Sequence, residues 1–590
     1  MTLVLKAAAW LATVSILQAG GVLAAASSKD WITESDVHGR YVMAELASLK
    51  PENASANGLA EFDKEVSYLG PDYREREDAL EARLIGELHT RLQDATHPKV
   101  RQDLQIMIDS LNDSRASRKL ETETLLPYLN MHEELFGIFR AILDPRIESE
   151  RRSAGLTRLA RYAGTEQGYA PIIVQAEQRT REALAQPGLI GPYRGELESN
   201  LADAPRYVAG IRSLFEASEL TGWENDLAVL TEQLAHYEQW LRDELLPRAR
   251  EDNLLPPRIY ADALKNFGVR ATPEELIADA TAAYQSLRSE MHALAIRIAH
   301  ERDWKENDLV SVLRRLKEQQ IPPEDVLPTY KARLAALEAI VRQQNLVSLP
   351  EREASIRLAT EAESASIPAS FMSPPQLIDN TGQYGEFVLV QSNPRLGEDA
   401  LMDDWSHEAI TWALTAHEAR PGHELQFARL VEDGVSIARV AYAFNSANAE
   451  GWGLYAEALV HPYLSTEAQL FSLYSRLMRA ARMFLDPMVN TGQLSRDEAA
   501  RFLETQLALS PAMAASEADR YAYRMPGQAT AYYYGYMNLM GLRTEVELHM
   551  GENFNLRAFN DFILEQGILP PQMLREAVLE HFAGQASTRY

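Results

Sequence analysis

Apolar residues recur at spacings of three and four along most of the chain, a pattern typical of amphipathic helices. The series Leu80, Leu84, Leu88 and Leu92 is one example. Helix starts are marked as well, since Thr272 precedes a proline and two glutamates, the sequence of an N-cap followed by an acidic first turn. These features predict a mostly α fold.

Two short stretches depart from the helical pattern. Residues 354–360 alternate between apolar and polar side chains, and residues 386–392 are rich in strand-forming residues. Prolines separate them, at Pro368, Pro374 and Pro375. We predict a small β-ribbon here, which either serves the fold alone or offers an edge to an extended substrate.

The chain of 590 residues is long enough for more than one domain. The chemical motifs all lie in its C-terminal part. We therefore divide it into an N-terminal helical region, residues 27–360, and a C-terminal catalytic helical region, residues 361–590. We expect the two regions to share one cleft rather than to fold independently.

The chain has 58 basic and 85 acidic residues, a formal net charge of −27, and no cysteine. The acidic balance argues against a nucleic-acid ligand, because phosphate groups are bound by basic surfaces. The lack of cysteine excludes disulfides, thiolate metal ligands, a cysteine nucleophile and the lipid attachment of a lipoprotein. Any metal site must therefore use His, Asp and Glu.

Residues 1–26 have the pattern of a secretory signal peptide. Lys6 is followed by an apolar run at residues 7–17, and alanines at residues 24–26 offer a cleavage site. The alternative is a membrane anchor, but the apolar run is short and is broken at Gln18. No later stretch is apolar for long enough to span a bilayer. We expect a periplasmic or secreted protein that leaves the membrane once the signal is cleaved.

His417, Glu418 and His423 bring two imidazoles and a carboxylate into one short segment. In the usual zinc helix the two histidines are four residues apart and share a face. Here they are six apart, which places them about 120° from each other on a regular helix. Because Pro421 and Gly422 lie between them, we predict a helix break that turns His423 back toward His417. The alternative is a Pro-Gly turn flanked by two unrelated histidines.

An acidic segment follows, with Glu450 27 residues after His423 and Glu457 seven residues later. On a helix these two carboxylates share one face but lie about 10 Å apart, so a single ion cannot bind both. We assign Glu450 as the third ligand, which with two neutral imidazoles makes the usual protein ligand set of a catalytic zinc site. Glu457 either holds a ligand histidine from behind or is a solvated acid. Zinc is favoured, although manganese or iron would accept the same ligands.

The remaining candidate chemistry lies beside these ligands. Glu418 follows the first ligand directly, where a general base takes a proton from water. A tyrosine-rich segment covers residues 521–536. Its tyrosines either pack in a core or supply a hydroxyl for the oxyanion of a tetrahedral intermediate.

Three ordered motifs carry a resemblance to a bacterial family, domain of unknown function 885. They are His-Glu-x-x-Pro-Gly-His-x-x-Gln at residues 417–426, Glu-Gly-Trp-x-Leu-Tyr-x-Glu at residues 450–457 and Pro-Gly-Gln-Ala-x-x-Tyr at residues 526–532. The resemblance covers roughly residues 30–585. It implies gluzincin-like helical zinc metallopeptidases, similar in architecture to the two-lobed helical clamshells of the carboxypeptidase Taq and oligopeptidase families.

The resemblance also implies roles for residues of this chain. It implies the metal ligands His417, His423 and Glu450, the base Glu418, and Tyr532 beside the substrate. Gln528 of the third motif is expected in the second shell or at the substrate.

Three further positions bear on the same site. Arg482 matches the family pattern and either meets a substrate carboxylate or pairs with Asp486 one turn on. Glu424 and Asn490 stand where family members often carry histidine. We expect Asn490 in the second shell or at the substrate, where the change would affect rate or specificity more than metal binding.

The resulting hypothesis is a zinc-dependent hydrolase that cleaves short peptides with metal-activated water. One alternative is a zinc hydrolase of a non-peptide amide or ester. A second is a non-catalytic periplasmic binding protein with a degenerate metal site.

Overall fold

The computed structural model describes residues 30–360, 363–364, 369–391 and 404–586. The predicted signal peptide lies outside the described residues. A search of the described residues finds no helix with the length and apolar character that a membrane crossing requires.

Helices follow one another closely in the first part of the chain. They are Asp30–Ala47 (α1), Pro51–Asn57 (α2), Tyr73–Asp94 (α3), Pro98–Thr124 (α4), Met131–Ile142 (α5), Ser149–Arg152 (α6), Ala154–Ala163 (α7), Ile172–Leu184 (α8), Arg194–Ala217 (α9), Glu224–Trp240 (α10), Pro257–Asn266 (α11), Pro273–Glu301 (α12), Leu309–Lys317 (α13) and Pro323–Gln343 (α14). Leu84 and Leu88 are fully buried on α3, as their spacing predicts. Thr272 caps α12 in a capping box with Glu275.

A second series of helices follows the sheet. They are Ile410–Glu418 (α15), His423–Arg429 (α16), Ser446–Val460 (α17), Thr466–Asn490 (α18), Arg496–Gln506 (α19), Pro511–Asp519 (α20), Ala531–Met550 (α21), Leu556–Glu565 (α22) and Pro571–Ala586 (α23). The mostly helical fold with a small sheet is confirmed.

Three short strands form the sheet: Ser355–Leu358 (β1), Phe371–Ser373 (β2) and Glu386–Leu389 (β3). β3 lies in the centre, parallel to β1 and antiparallel to β2. Phe387 of β3 is paired with Ile356 on one side and with Met372 on the other. The sequence pattern indicates β1 and β3 but not β2, because prolines follow β2 directly and only three residues pair.

Hydrophobic side chains gather in several cores. One lies within residues 126–245 and contains Phe139 and Phe215, whose ring centroids are 5.2 Å apart. Another draws on residues 260–533 and joins α12 to α18 through contacts such as Tyr284 with Phe484. This second core includes residues on both sides of the predicted division at residue 360. The division itself stays a prediction.

Candidate metal centre

The predicted break between the two histidines is present. Helix α15 ends at Glu418 and α16 begins at His423. A Cβ on Gly422 would lie 1.9 Å from the carbonyl oxygen of His417, so the tight corner requires glycine. Trp452 Nε1 lies 3.0 Å from the carbonyl oxygen of Pro421 and 3.3 Å from that of Gly422. Trp452 of the second motif therefore holds the Pro421–Gly422 corner of the first motif in place.

Buried ion pairs brace the same corner. Arg420 and Glu424 are fully buried, and Arg420 Nε donates to Glu424 Oε2 at 2.6 Å. Arg420 also pairs with Glu338 at 2.7 Å, and Arg352 pairs with Glu424 at 2.7 Å. The departure from the family pattern at Glu424 thus has a structural account, because a carboxylate there neutralises two arginines.

His417, His423 and Glu450 converge on one point. Glu450 Oε2 lies 3.4 Å from His417 Nε2 and 3.2 Å from His423 Nε2. One ligand atom from each of the three side chains lies within 4.8 Å of the other two. Ligands bound about 2.1 Å from a tetrahedral zinc ion are separated by about 3.4 Å. The three side chains therefore fit a single divalent ion.

A glycine on the neighbouring helix makes room for the first imidazole. A Cβ on Gly453 of α17 would lie 2.6 Å from Cε1 of His417, a distance that side chains do not tolerate. Because Gly453 is three residues after Glu450 on the same helix, both face the histidines. Gly453 of the second motif therefore makes room for the His417 imidazole in the candidate metal centre.

Glu457 lies behind His417. The side chain is 1% exposed, so the alternative of a solvated acid is wrong. Glu457 Oε1 accepts a hydrogen bond from His417 Nδ1 at 2.8 Å and from Ser475 Oγ at 2.9 Å. In the neutral imidazole this contact keeps the proton on Nδ1, so that the Nε2 lone pair would be available to a metal ion.

The carboxylates of Glu450 and Glu457, which lie against the two histidines, favour a positive charge between them. Burial lowers the pKa of His417, but hydrogen bonds with Glu450 and Glu457 outweigh it and raise the pKa to about 9. Burial raises the pKa of Glu450, but bonds with both histidines outweigh it and hold the pKa well below its usual range. A proton on an imidazole meets this need in the free protein, and a divalent ion would meet it in the loaded one.

Glu418 lies beside this cluster and is bound by the sheet. Its Oε2 accepts a hydrogen bond from the backbone N–H of Met372 in β2, at 2.9 Å. Burial raises the pKa of Glu418, against the opposing charges of His417 and His423. A raised pKa makes this carboxylate a better proton acceptor. The contact with Met372 has no signal in the sequence.

Tyr532 stacks near His417, with ring centroids 6.4 Å apart and planes 19° apart. The hydroxyl of Tyr532 accepts a hydrogen bond from Arg520 Nη2 at 3.0 Å. The same Nη2 also donates to Gln528 Oε1. Gln528 therefore holds Arg520, and within the described part of the chain the phenolic proton of Tyr532 has no acceptor.

Arg482 and Asn490 lie on α18, next to the site. Arg482 pairs with Glu517 at 2.6 and 2.8 Å and not with Asp486, the partner that we weighed from the sequence. Asn490 Nδ2 donates to Asp486 Oδ1 at 3.1 Å and to the carbonyl oxygen of Tyr521 at 3.0 Å. Asn490 thus belongs to a buried network, and a role toward the substrate stays a prediction.

Arg479 and Arg520 also surround the site, although the sequence reasoning did not select them. The spacing of Arg476, Arg479 and Arg482 by three residues is a signal that could have indicated one arginine-rich helix face. Arg520 has no such signal, because its position depends on how the π-helical turn Arg520–Arg524 meets α21.

Comparisons with known proteins agree with this fold. A solved candidate lipoprotein from Colwellia psychrerythraea superposes with a TM-score of 0.76 at 16% identity, over 94% of this chain and 99% of that one. A candidate lipoprotein of unknown function from Shewanella oneidensis gives a TM-score of 0.70 at 17% identity, over 92% of this chain and 99% of that one. At such identities the similarity shows the fold alone.

Other comparisons add little about activity. PZ peptidase A is 12% identical over 89% of this chain and 98% of its own, but its TM-score of 0.26 is too low to support an argument. No curated protein matches the chain. A family model described as a bacterial protein of unknown function, DUF885, matches residues 51–578. The chain therefore belongs to the DUF885 family.

Proposed function

We propose that this protein is a zinc-dependent peptidase that hydrolyses short peptides. The observation that carries the proposal is the convergence of His417, His423 and Glu450 on one point, with Glu418 beside them and Glu457 behind His417. Two imidazoles and one carboxylate leave a coordination position open for water or substrate, which distinguishes catalytic from structural zinc sites.

The side chains of the site divide the chemistry among them. An ion bound by His417, His423 and Glu450 would polarise a carbonyl group and lower the pKa of water. Glu418 takes the proton of the attacking water and later passes it to the leaving amine. Tyr532 donates its phenolic proton in a hydrogen bond to the oxyanion, since its oxygen already accepts from Arg520.

The sheet edge favours a peptide over another amide or ester. β2 is an edge strand in the order β1-β3-β2, and the N–H of Met372 points away from β3 to Glu418. The carbonyl of a strand residue faces the same side as its N–H. Because this N–H is already bound to Glu418, an extended peptide would bind this edge through the carbonyl oxygen of Met372, directly beside the general base.

The proposed location follows from the N-terminal pattern. The predicted signal peptide at residues 1–26 supports a periplasmic or secreted protein.

The test removes the base and leaves the ligands in place. Glu418→Gln should keep one zinc ion per chain but lower the hydrolysis of a panel of short peptides by about 10²–10⁴-fold. Zinc content is measured by elemental analysis and hydrolysis by chromatography of the products. Glu408→Gln is the matched control. Glu408 also follows a histidine directly, His407, but it is exposed and pairs with Arg333. Wild-type hydrolysis by zinc-loaded Glu418→Gln would remove the proposed role.

A further inference from the structure

Three arginines surround the ring of Tyr532. The guanidinium carbons of Arg482, Arg520 and Arg479 lie 4.9, 5.2 and 5.8 Å from the ring centroid. Arg479 and Arg482 are buried, and Arg520 is half-buried. Tyr532 also stacks near His417, so the three positive charges lie close to the proposed metal ligands.

The neighbouring acids do not balance these charges. Glu517 serves two of the arginines, with Arg482 at 2.6 Å and Arg520 at 3.3 Å. Glu457 is already bound to His417. Glu418 also acts electrostatically on Arg479, but it is bound to the N–H of Met372. Among the described carboxylates, Glu517 is therefore the one that pairs directly with arginines of this cluster.

Arg479 is connected to Glu457 through the hydroxyl of Ser475, without a direct ion pair. Its Nη1 donates to Ser475 Oγ at 2.7 Å, and its Nε is buried without a hydrogen-bond partner. Among the residues that the structure describes, no carboxylate lies within ion-pair distance of it. Burial and the nearby charge of Arg482 lower the pKa of Arg479. An unpaired charge in the interior is costly, and an anionic ligand group would remove that cost.

We propose that Arg479, with Arg520 beside it, binds a carboxylate of the substrate close to the bond that is cleaved. The proposal rests on the proposed function, which supplies that bond. Arginine binds carboxylates through charge-assisted hydrogen bonds that are often bidentate. An extended peptide spans about 3.3 Å per residue. The Tyr532 ring lies 6.4 Å from the His417 ring and 5.8 Å from the Arg479 guanidinium carbon, so both are within reach of a peptide of about four residues. The carboxylate belongs to the C-terminus of a short peptide or to an acidic side chain near it.

The experiment compares three peptides on the zinc-loaded protein. They are N-acetyl-tetra-alanine with a free C-terminus, the same peptide as the C-terminal amide, and an amide in which aspartate replaces the last alanine. We expect kcat/KM for the free acid to exceed that for the plain amide by about tenfold or more. A fast aspartate amide would support the proposal with a side chain as the source of the carboxylate. Equal rates for all three would overturn it and leave the proposed hydrolase intact.

Two variants then assign the effect to one side chain. Arg479→Met should bring the ratio of acid to amide close to one. Arg476→Met is the matched control, because Arg476 is buried one turn earlier on α18, bonds to Ser472 and lies away from the Tyr532 ring. It should keep the ratio of the parent. A lower melting temperature of Arg479→Met with an unchanged ratio would mean a structural role and would overturn the proposal.

Binding is measured separately from catalysis. Calorimetric titration of zinc-loaded Glu418→Gln with the same peptides should give tighter binding of a carboxylate-bearing peptide than of the plain amide. This preference should be lost when Arg479→Met is added. Carboxylate-dependent binding without hydrolysis by the wild-type protein would contradict the proposed function alone. Equal dissociation constants, or no binding of any peptide, would overturn the carboxylate site.

Discussion

Glu457 keeps a carboxylate in the protein interior, and its position explains the orientation of His417. Its Oε1 receives hydrogen bonds from His417 and from Ser475. A carboxylate behind a ligand histidine raises the basicity of the imidazole and turns the second nitrogen toward the metal. Without that charge, His417 would lose its preferred tautomer as well as its orientation.

We expect Glu457→Gln to weaken zinc binding by about 10- to 100-fold. The amide keeps the size of the side chain but not the negative charge that stabilises His417. Competition with a chromogenic chelator measures the affinity, and circular dichroism reports whether the helices are retained. Glu467→Gln is the control, because Glu467 lies at the start of α18 and pairs with Arg302 outside the site. This variant should bind zinc with the affinity of the parent. An affinity within twofold of the parent for Glu457→Gln would contradict the assignment.

At the scale of single residues, the motifs predict which side chains could carry the chemistry, but they do not predict what surrounds those side chains. The convergence of His417, His423 and Glu450 follows from a helix break that proline and glycine impose locally. The burial of Glu457 does not follow, because helical spacing defines a face but not what lies opposite it. The role of Glu424 is only partly local, since Arg420 is four residues before it but its second arginine partner, Arg352, is distant in sequence.

Helices α17 and α21 approach each other through glycines. A Cβ on Gly535 would lie 1.7 Å from the carbonyl oxygen of Ala447, and a Cβ on Gly451 would lie 2.5 Å from the carbonyl carbon of Gly535. Backbones come this close only where side chains are absent. The close approach brings Tyr532, one turn before Gly535, to the same side as Glu450.

We expect Gly535→Ala to destabilise the protein by about 1–3 kcal/mol, because an added methyl group in a tight contact forces the helices apart. It should also lower peptide hydrolysis, since Tyr532 moves away from the metal ligands. Chemical denaturation measures the free energy of unfolding.

Gly541→Ala is the control on the same helix. A Cβ on Gly541 meets nothing within 4 Å, so alanine should stabilise the protein by about 0.5–1 kcal/mol through its higher helix propensity. Equal effects of the two substitutions would show that the helix contact does not determine stability.

At the scale of elements, helices are predictable and the sheet is only partly so. The capping boxes at Thr272 and Ser495 are both present, because caps depend on residues a few positions apart. β2 depends instead on pairing with β3 and on the bond from Met372 to Glu418. Neither partner is adjacent to β2 in the sequence. A strand of three residues is also too short to show a periodic signal.

In the whole molecule, the candidate metal centre draws its side chains from distant stretches of one chain. The proposed ligands come from α15, α16 and α17, the hydrogen bond to the proposed base from β2 and the tyrosine from α21. An ion bound here would therefore link several helices and a sheet at once, and its binding free energy would add to the stability of the folded state.

Removal of the metal should lower the melting temperature reversibly. A ligand that binds only the folded state stabilises it by about 2.7 kcal/mol at a free concentration 100 times its Kd. Thermal scans with zinc, after EDTA and after zinc is restored measure the effect. Glu450→Gln, which lacks a ligand, should melt at similar temperatures in all three conditions. A wild-type melting temperature that does not respond to EDTA or zinc would contradict the metal site.

The fold class and the division of the whole chain depend on different information. Helical periodicity is local and indicates the fold class directly. The core that joins α12 to α18 depends on contacts between residues such as Tyr284 and Phe484, which are far apart in the sequence and which no local pattern encodes. The division at residue 360 rests on where the motifs begin and stays a prediction.

The bond from the Trp452 indole to the Pro421–Gly422 corner has a consequence for how an ion would be taken up at the proposed site. Protein groups hold the corner in shape, so folding would not have to wait for the ion. Loading would then depend on which ions are available around the folded protein.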